Sequence, residues 1–418
     1  MMFVYLLCYE HILCKAKKNH NLSADYCSLF FDICADSIRG LFYICRSFRI
    51  KYMMLRTNQR LIALDALRGF TIAAMILVNN PGSWEFVYPP LLHKAWNGIS
   101  PTDLIFPFFI FIVGVSIVLA YAGKIESGTA KMPLIRKIAW RSLKIFAVGL
   151  FLNVYPGFDF SEIRLAGVLP RIALVFLIGG VLYLWLDIKR LAWIGGGLLV
   201  FYWIIMTLIP TPGYDSPMFE PGINMAAWVD GFLLPGRMWN GNWDPEGLLS
   251  TIPAVVSAIC GMIAGTVLRS KKSDFEKVAL LSVAGFAAAV AGVVWSWNFP
   301  LNKNLWTSSY VLATSGLAAM TLASAMYFID IKSYKAVAKP FVIFGSNAIT
   351  AYVLAGLLSF PFYGVSLFGQ TLSAHLMQAG ISIGFDPRFA SMLVAGLFIT
   401  LIYLPVYFLY KKQIFIRL

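Results

Sequence analysis

The stretch LIFPFFIFIVGVSIVLAYA (104–122) decides the fold, because 19 successive residues contain no charged side chain. A helix of about 20 mostly apolar residues is long enough to cross the hydrocarbon core of a bilayer. We therefore predict a membrane-spanning helix here. Nine other stretches have similar length and composition, which predicts an all-α bundle of about ten transmembrane helices. The predicted spans are 62–79, 104–122, 138–155, 167–186, 191–209, 248–268, 277–297, 307–329, 340–360 and 390–410.

The composition supports a polytopic membrane protein. Of 418 residues, 59% are hydrophobic and only 13% are charged, whereas soluble domains average about 25% charged residues. The mean hydropathy is +0.74. These values exclude a soluble enzyme and a disordered chain, and the scattered glycines and prolines exclude a collagen-like fibre.

The basic residues predict the orientation of the bundle. When Lys and Arg are sorted by the loops between the ten spans, 23 lie on one side and five on the other. Basic loops stay in the cytoplasm, so both termini are predicted to be cytoplasmic. We predict a multi-pass protein of the inner (cytoplasmic) membrane. The net charge of +14 then reflects this orientation, and no nucleic-acid partner is expected.

The predicted outer loops have the opposite charge. They carry ten acidic and five basic residues, which favours a cationic or amine-bearing substrate over an anionic one. The two longest, 80–103 and 210–247, are rich in Trp, Gly, Pro and Asn. We expect them to fold over the outer mouth of the bundle.

The first 52 residues differ from the rest of the chain. Five of the six cysteines lie there, without the basic region, apolar run and cleavage site of a signal peptide. The spacing of Cys8, His11 and Cys14 allows a metal site, but no paired CxxC supports it. We predict that 1–52 is a poorly structured or non-native extension, that the transmembrane domain is 53–418, and that no metal is bound.

Two charged residues lie inside the first span. Asp65 and Arg68 in LDALRGF (64–70) are three residues apart and therefore share one helix face. They could form a buried ion pair, or Arg68 could snorkel to the cytoplasmic edge. Alternatively, Arg68 could meet a phosphate-bearing ligand that arrives from the cytoplasm.

The densest polar cluster precedes the second span, in HKAWNGISPTD (93–103). Imidazole takes up a proton near neutral pH, so His93 is a candidate general base. Ser100, Pro101 and Asp103 match the pattern of a helix start. Asp103 could therefore be only a capping residue, or it could also orient His93.

Two further outer segments are unusually polar. WNGNWDPEG (239–247) and PLNKNLWTSSY (300–310) each lead into a predicted span. Their polar side chains could line an outer substrate pocket or could be ordinary interfacial caps. The candidate substrate-binding residues are Asp244, Glu246, Lys303 and Asn304.

The chain from about residue 60 onward resembles the heparan-α-glucosaminide N-acetyltransferase family. Seven motifs in the same order carry the resemblance: LDALRGF (64–70), VNN (78–80), HKAWNGISPTDLIFPFFIFIVG (93–114), GVLPR (167–171), WDPEGLLSTIPA (243–254), NKNLWTSSY (302–310) and FGSNAI (344–349). The luminal domain of the lysosomal member has no counterpart in 1–52.

The resemblance implies an acetyltransferase. Acetyl would move from cytoplasmic acetyl-CoA, the co-substrate, to the free amine of glucosamine or a terminal glucosaminide on the outer side. It implies that His93 is catalytic and that Asn79 and Asp103 assist it. Arg68 and Asn97 are expected to bind acetyl-CoA, and Asn79 or Asn97 could stabilise the developing oxyanion.

Two other functions stay open at this point. An amino-sugar transporter is compatible with ten helices, although no inverted repeat is evident. An O-acyltransferase of a surface glycan would use similar membrane-histidine chemistry. The expected partners are the lipid bilayer, an amino-sugar or glycan acceptor and, in a homodimer, a second copy of the chain.

Overall fold

The computed structural model describes residues 61–161 and 163–416. In these ranges the chain forms thirteen α-helices and one short β-hairpin. The helices are α1 Ile62–Asn79, α2 Ile105–Glu126, α3 Lys131–Val154, α4 Val168–Trp185, α5 Ile188–Thr207, α6 Met225–Leu233, α7 Thr251–Arg269, α8 Asp274–Trp295, α9 Ser308–Ala325, α10 Lys335–Ser346, α11 Ala348–Ser359, α12 Leu372–Ser382 and α13 Pro387–Lys411. Strands β1 (Ser366–Leu367) and β2 (Gln370–Thr371) pair antiparallel. The predicted extension at 1–52 lies outside the described residues.

The helices confirm an all-α polytopic membrane bundle. Among the described residues, eight are long and apolar enough to cross a bilayer, and a ninth span results if the bent pair α10–α11 is counted as one. Helix α3 coincides with the predicted span 138–155, but five basic residues between 131 and 144 reduce its apolar character. The total of ten spans and the cytoplasmic position of both termini stay predictions.

The predicted span at 340–360 differs from the structure. It is divided into α10 and α11, whose axes are bent by 72°. Asn347 separates them with a non-helical backbone. Its amide donates to the carbonyl oxygen of Ile414 at 3.1 Å and accepts from the backbone N–H of Ile416 at 2.9 Å. These contacts with the C-terminal segment favour a break that apolar composition alone does not reveal.

Helices α1 and α10 cross with their backbones in contact. A β-carbon at Gly69 would overlap the carbonyl oxygen of Phe341, and one at Gly345 would overlap that of Asp65. Small residues at helix crossings allow this approach in membrane proteins. The crossing fixes the position of α1, which carries Asn79 at its end.

The bundle has a central helix and a peripheral one. In α7, 72% of the residues in the spanning window are buried, compared with 17% in α8. The largest apolar cluster joins α7 to α2 and α4, with Ile259, Ile117 and Ala173 fully enclosed. Helix α8 therefore lies at the periphery of the bundle, while α2, α4 and α7 form its core.

The long connection 210–247 is folded and contains helix α6. Asp230 of this helix accepts hydrogen bonds from the backbone N–H groups of Leu248 at 2.8 Å and Leu249 at 3.1 Å. The connection is thereby attached to the start of α7. This attachment brings segment 239–247 to the end of the bundle where His93 lies.

Candidate active site

A cavity of about 610 Å³ lies between helices α1, α2, α4 and α11. Its mouth is formed by the connections that precede α2, α4, α7 and α9, all on the predicted outer side. Side chains with polar or aromatic groups line this mouth: Trp84, His93, Arg164, Trp239, Glu246 and Lys303. Below them the wall is mainly apolar, with Ile72, Met75 and Ile172. The cavity thus combines a polar mouth with an apolar interior.

His93 and Asp103 are in direct contact at this mouth. The Nδ1 atom of His93 lies 2.7 Å from Oδ1 of Asp103. Because an ionised carboxylate only accepts hydrogen bonds, Nδ1 carries the hydrogen and the lone pair of the imidazole is on Nε2. The side chain of His93 is 38% exposed, whereas that of Asp103 is 1% exposed. This is the arrangement of a base oriented by a buried carboxylate.

The helix start before α2 explains the position of Asp103. Its Oδ2 atom accepts from the backbone N–H and the hydroxyl of Ser100, both at 2.9 Å, and from the backbone N–H of Lys94 at 3.2 Å. The hydroxyl of Tyr310 donates to its backbone carbonyl at 2.6 Å. Asp103 therefore caps the turn with one oxygen and contacts His93 with the other.

Lys303 lies beside the same imidazole. Its Nζ atom is 3.1 Å from Nδ1 and 3.3 Å from Nε2 of His93, and 4.0 Å from Oδ1 of Asp103. Burial lowers the pKa of Lys303, although the carboxylates of Glu246 and Asp103 oppose this effect. Asn304 also lines the cavity. Segment 300–310 thus places a cationic side chain where the base would act.

Asn79 and Asn97 have different surroundings. Asn79 is exposed at the end of α1 and lines the cavity. Asn97 lies outside the described lining, and its side-chain oxygen accepts from the amide of Asn302 at 3.1 Å. The backbone N–H of Gly98 also donates to Leu301 at 2.7 Å. Asn97 therefore joins two connections, and its role in binding acetyl-CoA stays a prediction.

Arg68 also lies outside the described lining, which extends along α1 only as far as Thr71. The guanidinium group donates to Asp65 at 3.1 Å and to the hydroxyl of Ser116 at 3.0 Å. Of the alternatives for these two residues, the ion pair is therefore present. Contact between Arg68 and a phosphate stays a prediction.

Asp244 and Glu246 share one partner, Arg164. Its guanidinium donates to both oxygens of Asp244 at 2.7 Å and to Glu246 at 2.8 Å. Burial opposes charge on Arg164, but the two carboxylates raise its pKa. Glu246 lines the cavity, whereas Asp244 is 4% exposed and lies behind the wall. Carboxylates that are paired with an arginine in this way stabilise the local structure, and they attract a distant cation only weakly because the arginine offsets their charge.

Sequence reasoning missed Arg164, Trp239 and Tyr352 as residues of the cavity wall. The available signal was weak: Arg164 is the one basic residue between predicted spans 138–155 and 167–186. Tyr352 lies in a stretch interpreted only as an apolar helix. Within ranges 61–161 and 163–416, no group of three or more His, Cys, Asp or Glu side chains is arranged to hold a metal ion.

Two comparisons relate the sequence of this chain to known proteins. Residues 60–293 match a family model described as heparan-alpha-glucosaminide N-acetyltransferase, catalytic. The chain is 27% identical over 417 residues to the mouse (Mus musculus) protein named heparan-alpha-glucosaminide N-acetyltransferase and 28% identical to its human (Homo sapiens) counterpart. Each alignment covers 85% of this chain, but 60% of the mouse and 59% of the human protein. The chain thus spans about three-fifths of the length of these relatives.

Proposed function

Since the chain belongs to the heparan-alpha-glucosaminide N-acetyltransferase catalytic family, which matches it over residues 60–293, we propose that it is a membrane acetyltransferase. It transfers acetyl from cytoplasmic acetyl-CoA to the free amine of glucosamine or a terminal glucosaminide on the outer side. The mouse and human relatives are named for a heparan acceptor. For this chain we propose an amino-sugar acceptor and do not carry over the heparan part of that name.

The contact between His93 and Asp103 carries the proposal. A glucosaminium ion must lose a proton before its nitrogen can attack a thioester. Nε2 of His93 takes that proton, while Nδ1–H donates to Asp103 at 2.7 Å. The carboxylate stabilises the imidazolium ion that forms.

The tetrahedral species formed on attack has a negative oxygen that needs a donor. In other acyl transfers one preorganised donor stabilises the transition state by about 3–4 kcal/mol. Asn79 lines the cavity, whereas Asn97 lies outside its described lining. We therefore assign this role to Asn79, with Lys303 as a second source of positive charge beside His93.

We propose that the donor lies along helix α1. Arg68 precedes Asn79 by eleven residues, which corresponds to about 16 Å along a helix. We propose that the nucleotide end of acetyl-CoA lies near Arg68 and that its pantetheine arm follows the apolar wall toward His93. Both substrates could then react without either one crossing the membrane.

The test measures free CoA released by the purified full chain in lipid nanodiscs, with acetyl-CoA and a panel of amino sugars. Glucosamine should stimulate release, and His93→Ala should abolish it. His375→Ala is the matched control, because this histidine of α12 lies outside the described lining. CoA release that glucosamine does not stimulate, or that persists in the His93→Ala variant, would contradict the proposal.

The same preparation distinguishes the alternatives. Uptake of amino sugar into vesicles without consumption of acetyl-CoA would indicate a transporter, and acetylation of N-acetylated sugars would indicate O-acylation. Radioactive acetyl on the protein after rapid quench without sugar would indicate an acetyl-His93 intermediate rather than direct transfer. Separation of the cell membranes tests the proposed inner-membrane location, and cross-linking in native membranes tests the homodimer.

A further inference from the structure

One buried carboxylate organises an edge of the cavity. Asp244 accepts from the backbone N–H of Trp239 at 3.0 Å, from that of Glu246 at 2.9 Å and from Arg164 at 2.7 Å. Trp239, Glu246 and Arg164 all line the cavity, whereas Asp244 does not. A single side chain thus fixes an aromatic, an acidic and a basic group relative to one another.

Trp239 presents a large aromatic surface at this edge. The guanidinium carbon of Arg164 lies 4.9 Å from the ring centroid of Trp239. This contact covers one ring face, yet the residue is 62% exposed. The position of Trp239 is set by the contact of Arg164 with its ring and by the hydrogen bond from its backbone N–H to Asp244. Trp239 and Glu246 both contact Arg164, and both line the same cavity as His93.

We propose that Trp239 is the platform on which the pyranose ring of the acceptor stacks, with Glu246 accepting hydrogen bonds from the ring hydroxyl groups. A pyranose has an apolar C–H face and a polar rim, which match an indole face beside a carboxylate. Asp244 is then a positioning residue that holds both groups. The inference rests on the proposed function, because the acceptor is taken to be an amino sugar.

The first experiment measures KM separately for glucosamine and acetyl-CoA. Trp239→Ala should raise the acceptor KM about tenfold, the effect of losing about 1.4 kcal/mol of aromatic contact. The donor KM should stay unchanged. Trp239→Phe should restore most of the acceptor affinity, because it keeps an aromatic face.

Two further variants separate stacking from general damage. Trp228→Ala removes another exposed tryptophan on α6, outside the lining of this cavity, and should leave both KM values unchanged. Asp244→Asn keeps the shape of the side chain at position 244 but weakens its pairing with Arg164. It should raise the acceptor KM without changing the donor KM, which a loss of folded protein would not do.

A binding experiment tests stacking of the sugar on Trp239 without requiring catalysis. Saturation-transfer NMR with glucosamine and the full chain in nanodiscs should show strongest transfer to the C–H protons of one ring face, and Trp239→Ala should remove it. If wild type binds glucosamine in this way but releases no CoA, the proposed function fails and the platform stands. Unchanged acceptor KM and unchanged transfer in Trp239→Ala would overturn the platform alone.

Discussion

The substitution Asp103→Asn tests the proposed chemistry most directly. One oxygen of Asp103 contacts Nδ1 of His93, while the other accepts from Ser100 and from the backbone of Lys94. Asparagine offers one oxygen and one NH₂ group, so it can satisfy only one of these sides. We expect its oxygen to remain with the three donors near Ser100. Its NH₂ group then faces the imidazole, which favours the tautomer with hydrogen on Nε2.

In that tautomer Nε2 carries a hydrogen, so it has no lone pair with which to accept the proton of the amine. A hydrogen bond to an ionised partner contributes about 1.5–3 kcal/mol, which corresponds to roughly 10- to 150-fold in rate. Because Nε2 of His93 would also carry a hydrogen, we expect kcat to fall at least about 100-fold. Stability should change little, since the donors around Ser100 keep an acceptor.

The assay compares kcat for CoA release across pH 6–9, with melting curves to confirm folding. The control is Ser100→Ala, which removes one donor to Oδ2 but leaves the contact between Oδ1 and His93. Its kcat should stay within about threefold of wild type, while its stability falls by about 1 kcal/mol. A well-folded Asp103→Asn protein whose kcat matches that of Ser100→Ala would refute the orienting role.

Two predictions concern stability. Gly345→Ala places a β-carbon against the carbonyl oxygen of Asp65, so it should lower the free energy of unfolding by about 1–3 kcal/mol. The control Gly396→Ala has open space around it and should not destabilise the chain. Equal melting temperatures for the two variants would contradict the close crossing. Burial raises the pKa of Asp230 to about 6, so between about pH 4 and 6 the folded state holds a proton that the unfolded state releases. Melting temperature should therefore fall as pH rises through this window, and Asp230→Asn should reduce that fall; an identical pH slope in the variant would contradict the assignment.

The helices were predictable because a bilayer imposes a simple rule on composition. Each of the ten predicted spans coincides with helix in the described residues. The bend at Asn347 was not predictable, because its partners Ile414 and Ile416 are almost 70 positions later in the chain. Helices α6 and α12 were missed for a related reason: they are short and lie in connections, where the rule for spanning segments does not apply.

The site was predictable where its members are close in sequence. His93 and Asp103 are ten residues apart, and the helix-start pattern at Ser100 already limits where Asp103 can lie. Arg164 and Asp244 are 80 residues apart. No local pattern relates them, so their pairing required the packing of helices α4 and α7. The motif therefore located the candidate base, while the packed structure located the proposed acceptor platform.

The charge of the cavity changes the interpretation of the outer loops. An excess of acidic residues predicted attraction of a cationic acceptor, but Asp244 and Glu246 are paired with Arg164, and Asp103 with His93. Around the cavity, the basic groups Lys94, Arg164 and Lys303 are matched by the carboxylates of Asp103, Asp244 and Glu246, so neither sign of charge is in excess. Close to the imidazole, however, Lys303 lies 3.3 Å from Nε2 of His93. A nearby positive charge lowers the pKa of a bound amine, because it disfavours the protonated form. Lys303 would therefore favour the neutral amine that attacks a thioester. Recognition of the acceptor must then depend on ring stacking and hydrogen bonds more than on the net field.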